Sequence, residues 1–210
     1  MEKDLAKFFS YLFHPLTMTS LAVLILLYSG TSLSVLQPDV KRFTLIITVL
    51  FTFVFPASMI IILYITRMID NAELQERKER VLPIALTIIL YLFFFFVMRS
   101  IPQLSEGHVV FFMCPPAALI IVLVFNRFMK PSVHMLGIGM LLGIILVLIM
   151  IYGAMLQGVF IVIVLAGGVL GTSRLILKLH TPGEVLAGFG IGFFVTIMVM
   201  TFYVMSELNV

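Results

Sequence analysis

Seven long apolar runs alternate with short polar breaks along almost the whole chain. They cover residues 16–34, 43–65, 83–98, 109–125, 134–151, 156–172 and 185–204. Each is close to the roughly 20 apolar residues that a membrane-spanning helix needs. Ahead of the first run, residues 1–15 mix Glu2, Lys3, Asp4 and Lys7 with Phe8, Phe9, Tyr11, Leu12 and Phe13. That mixture suits a helix lying at the headgroup level, with His14-Pro15 marking a bend. Pro56 predicts a kink in the second run, tolerable where a neighbouring helix satisfies the freed carbonyl. The breaks carry nearly all the polar chemistry: Pro38 to Arg42, the charged stretch 67–80, Arg99 to His108, the link 126–134, a tight turn at Gly153, and the stretch 173–183.

Composition sharpens this picture. Of 210 residues 62% are hydrophobic and 11% charged, and the mean hydropathy is +1.22, whereas water-soluble domains are about 45 to 50% apolar. The pattern predicts an all-α polytopic membrane bundle of six to seven helices, filling residues 1–210 as one domain with no soluble module. The first run lacks a small-residue cleavage site and reads as a retained helix. No basic, aromatic-interleaved patch points to nucleic acid. The single cysteine, Cys114, excludes an intrachain disulfide. Glycines four apart, Gly139 with Gly143, Gly167 with Gly171 and Gly188 with Gly192, predict close backbone approach among the last three spans. The Phe93 to Phe96 run predicts a third span turned toward lipid.

If all seven runs cross, the N-terminus, residues 67–80, the link ending at His134 and residues 173–183 meet on one face. That face then holds ten basic residues against three, Lys41, Arg42 and Arg99, on the other. The positive-inside tendency makes it cytoplasmic.

Three clusters on that face could do chemistry, since ionisable groups held near the bilayer are costly. In the first, Glu184 can accept a hydrogen bond from His180, fixing its tautomer; equally, Thr181-Pro182-Gly183-Glu184 reads as a capping box. In the second, Ser132-Val133-His134 starts a helix whose free N–H groups suit an anion, while Ser132 also reads as an ordinary N-cap. In the third, Arg77, Lys78 and Arg80 suit a phosphoryl group, or form i,i+4 pairs with Glu73 and Glu76 on a solvated helix.

Ser173-Arg174, five residues, His180, three residues and Glu184 resemble the third signature of the type 2 phosphatidic acid phosphatase superfamily, Ser-Arg-x5-His-x3-Asp. Pro131-Ser132-Val133-His134 is similar to its second, Pro-Ser-Gly-His, and the basic run before Pro83 loosely resembles its first. The departures are Glu184 for aspartate, Val133 for glycine, and Leu82 where arginine would precede Pro83. The resemblance implies a lipid phosphatase, acting on a lipid phosphate or polyprenyl diphosphate without metal or other cofactor. His180 would be the nucleophile forming a phosphohistidine, Glu184 its orienting group and His134 the general acid. Arg174, Ser173, Ser132, Arg77, Lys78 and Arg80 would hold the phosphate. A bacterial inner membrane is the expected location; such family members usually carry the site on the outer face, whereas the charge count puts it inside. Two other expectations stay open: a catalytically silent relative binding anionic lipid headgroups, and a small transporter. Oligomeric state is not legible.

Overall fold

The computed structural model describes residues 1–71, 74 and 76–207, and all its regular elements are helices. In chain order they are α1 (Glu2–Leu12), α2 (Pro15–Leu27), α3 (Pro38–Val49), α4 (Phe55–Ile65), α5 (Arg77–Arg99), α6 (Glu106–Phe111), α7 (Cys114–Phe125), α8 (Val133–Met150), α9 (Gln157–Ile176) and α10 (Pro182–Glu207). Among the described residues six spans are long and apolar enough to cross a membrane: α3 with α4, α5, α6 with α7, α8, α9 and α10. A seventh exists only if α1 and α2, bent by 51° at their junction, count together. The expected first span 16–34 is thus corrected. With 13 residues, α2 is about 20 Å long at 1.5 Å per residue, short of the roughly 30 Å hydrocarbon core. The chain leaves the helix at Tyr28 and turns at Gly30, whose φ is +74°.

Kinking of the second span follows the predicted logic. Leu50–Val54 form a π-helical turn just before Pro56, a common place for a helix to bend. Pro56 has no N–H to offer the carbonyl of Thr52, four residues back. Tyr91 of α5 donates its hydroxyl to that carbonyl at 3.3 Å, and Ser20 of α2 meets the Thr52 hydroxyl at 2.9 Å. Tyr91→Phe therefore leaves a buried carbonyl unpaired, and about 1 kcal/mol of stability should be lost. Thermal unfolding in detergent reads it; an unchanged midpoint would show that the π turn satisfies itself.

The most buried span is α8, and it packs face to face on α10 through glycines. A Cβ added at Gly139 would collide with the carbonyl of Phe189; one at Gly192, with the carbonyl of Leu136 and, at 2.9 Å, the amide of Met140. Gly143 lies 3.0 Å from the Phe193 carbonyl by the same measure, and Gly188 sits on the backbone of Ser132. The third pair differs from expectation. Gly167 and Gly171 meet only side chains at ordinary distance, so this pair makes no close backbone contact. The Phe run is divided too. Phe93 and Phe96 face outward, but Phe94 is 2% exposed and packs on Phe51 and Phe112.

Candidate active site

Three chain segments are tied together at one end of the bundle by side-chain to backbone hydrogen bonds. At the start of α5, Arg77 Nη1 donates to the Phe128 carbonyl at 2.9 Å, and Arg80 donates from Nη1 to Pro131 O at 3.0 Å and from Nε to Leu74 O at 3.1 Å. From the link between α7 and α8, Asn126 Nδ2 donates to Arg77 O at 2.8 Å. The link is then joined to α10 through Glu184. Its Oε1 accepts from Lys130 N at 3.1 Å, and its backbone carbonyl accepts from Ser132 N at 3.0 Å.

Glu184 also organises its own helix start. Its Oε2 accepts from Thr181 N at 3.0 Å, while Glu184 N donates to Thr181 Oγ1 at 3.4 Å, the reciprocal pair of a capping box. The same oxygen lies 3.3 Å from His180 Nδ1. Cap and histidine partner are therefore one carboxylate, not competing roles. With Nδ1–H donating to Glu184, the neutral ring keeps its lone pair on Nε2. Neutral it stays: the His180 pKa is pulled down to about 4, first by loss of water around the ring, then by Arg80, Arg174 and Lys130, against the opposing pull of Glu184. Burial, and then Arg80, also lower the pKa of Lys130. Three cations thus face one carboxylate around a neutral imidazole. Arg80 is only 6% exposed, and buried like charges are costly unless an anion joins them.

Beside this cluster opens a cavity of about 680 Å³. Its polar lining includes Lys7, His14, Arg80, His134 and Arg174. Its shaft is apolar, lined by Ile84, Phe111, Leu119 and Leu141 among others. Along α8 the lining runs from Val133 to Ile144, about 16 Å of helix. A smaller, polar cleft of about 560 Å³ lies against Arg77, Lys78, Lys130 and Glu184. Between the two, His180 lines neither, and its side chain is 2% exposed. Among the described residues no three His, Cys, Asp or Glu side chains are arranged to hold a metal ion.

Compared with protein-family models, curated proteins and solved structures, the chain matches none.

The residues singled out from sequence occupy different places in this geometry. His134, Arg174 and Arg80 line the large cavity; Arg77, Lys78 and Glu184 line the outer cleft. Ser132 is fully buried and accepts from Met135 N at 3.5 Å as the N-cap of α8. Ser173 is buried and donates to Val169 O at 2.8 Å within its own helix. Neither serine lines either of these two cavities. Ser173 and Arg174 belong to the last turn of α9 rather than to a loop. Glu76 precedes α5 and makes no ion pair with Arg80 among the described residues; Glu73 lies outside them. Ser132→Ala should cost about 1 kcal/mol through the lost cap, with the affinity for a phosphate-headed ligand unchanged. A large loss of affinity at equal stability would instead give the hydroxyl a binding role.

Sequence reasoning missed two groups. Lys130 carries its charge to His180, and its backbone holds Glu184. His14 stands with its ring centroid 5.6 Å from that of His134, edge to face. A signal for His14 existed: like His180, it lies within two residues of a proline that opens a helix, on the face that topology already assigned.

Proposed function

We propose that the chain is a membrane-embedded lipid phosphatase that hydrolyses a lipid phosphate or polyprenyl diphosphate through a phosphohistidine. The observation that carries this reading is a neutral, carboxylate-oriented His180 under the charges of Arg80, Arg174 and Lys130, with the two arginines also lining a cavity that has an apolar shaft. The cations suit a phosphate head and the shaft a hydrocarbon tail, and the three motif resemblances fall in these segments. His180 Nε2 attacks phosphorus as the bond to the lipid oxygen breaks, and His134 supplies the proton that oxygen takes. Water then cleaves the phosphorus–nitrogen bond, releasing inorganic phosphate and restoring the imidazole. Positioning and charge neutralisation do most of the work in such a transfer.

A second reading, an anionic-headgroup binder without turnover, is favoured by one feature: the His180 ring is almost fully covered. A phosphate reaches it only after the side chains that cover the ring move aside.

Release of inorganic phosphate from phosphatidic acid or a polyprenyl diphosphate, in detergent with chelator present, separates the two. Binding with no release supports the second reading and removes the first. On the enzymatic reading, low pH acts by protonating His180. Its lowered pKa keeps the nucleophile neutral down to about 4, and activity falls only as pH drops through that value. After allowance for the substrate phosphate, which titrates near about 6, the acidic limb of kcat/KM should lie well below the 6.5 of an ordinary histidine. A limb at 6.5 would exclude His180 as the titrating group.

A further inference from the structure

On α1, Lys7, Ser10 and Tyr11 line the large cavity, and so does His14, which follows the end of α1 as the N-cap of α2. Positions 7, 10 and 11, three and four residues apart, share one face of α1. Elsewhere on α1, Leu5, Phe8 and Leu12 are exposed, an apolar stripe suited to the bilayer surface. Ala6 and Ser10 are buried, and α1 packs along α9. The helix therefore has one face for the membrane and another for the site. Just past the end of α1, the His14 ring packs edge-on against that of the candidate acid, His134.

His14 is itself fixed. As the N-cap of α2, its Nδ1 accepts from Leu16 N at 3.4 Å, so in the neutral ring the proton sits on Nε2. We infer that Lys7 of α1 and His14 at the junction of α1 and α2 form a further anion subsite in the large cavity, which holds the phosphate head of an amphiphile together with Arg80 and Arg174. This rests on the lipid-phosphate reading, to which it adds two ligand-contacting residues outside the three motif segments. His14 donates from Nε2 and Lys7 from Nζ, while the tail descends the shaft.

The test uses the full chain in neutral detergent, with dodecyl phosphate as probe and dodecanol as the uncharged comparison. His14→Asn keeps an acceptor for Leu16 N, since asparagine is a good N-cap, but removes the imidazole from the cavity. Lys7 is exposed, so Lys7→Gln leaves folding alone. Affinity for dodecyl phosphate is expected to fall about tenfold in His14→Asn and about threefold in Lys7→Gln. In Lys7→Gln it should also depend less on salt, and neither variant should change dodecanol binding. Wild-type affinity in Lys7→Gln together with a folded His14→Asn overturns the subsite and leaves the phosphatase reading standing. Should His14→Asn fail to fold, Lys7→Gln decides alone: full affinity with an unchanged salt slope overturns the subsite. Absence of dodecyl phosphate binding by the unaltered protein overturns both.

Discussion

His180→Ala is expected to abolish phosphate release from a lipid phosphate, by at least about 10⁴-fold, because no other group can take over a lost nucleophile. Glu184→Gln should come next, with a loss on the order of 10³ to 10⁴. An amide can turn its N–H toward Nδ1, and a ring held in that wrong tautomer presents Nε2–H instead of a lone pair. Glu184 also accepts from the amides of Lys130 and Thr181, so this variant should lose stability as well. The comparison that isolates chemistry is thus His180→Ala against the wild type, read by released phosphate and by trapping of phosphate on the protein. An alkali-stable, acid-labile phosphoprotein should form in the wild type and be missing from the variant. Turnover that survives in His180→Ala removes the proposed nucleophile, and with it the phosphohistidine step.

Much of the bundle could be read in advance because hydropathy reports burial in lipid directly. The limits of the second, fifth and seventh spans moved by only a few residues. The first span failed because Ser29, Gly30 and Thr31 are small enough to pass in an apolar run, though the chain turns there. The sixth ran past its expected end because Leu175 and Ile176 continue its apolar pattern, and this carried Ser173 and Arg174 onto the helix. Which face the clusters share was legible from counting crossings. What tied them together was not. Arg77, Arg80 and Lys130 reach their partners through backbone carbonyls and amides of the link 126–132, and residue identity carries little information about where a carbonyl points. His14 escaped notice because Pro15 alone explains a bend.

The largest effect on folding should come from a single methyl group. Gly192→Ala places a Cβ against the Leu136 carbonyl and the Met140 amide, and helix backbone cannot rotate away as a side chain can. The helices α8 and α10 must separate, at an expected cost of about 2 to 4 kcal/mol. Gly168→Ala is the matched control: nothing lies within 4 Å of its added Cβ, so the better helix former should raise stability by about 0.5 to 1 kcal/mol. Opposite signs for one chemical change on two helices would show that close backbone approach, and not glycine content, holds the bundle together. Equal shifts would undo that account. The seam also reaches the candidate site. Gly188 packs on the backbone of Ser132, one helical turn beyond Glu184 and two residues before His134. Gly188→Ala should therefore push the start of α8 from the start of α10, stretching the Ser132 and Lys130 bonds to Glu184 and moving His134 relative to His180. Turnover should then fall further than stability at the assay temperature accounts for, although residue 188 touches no substrate.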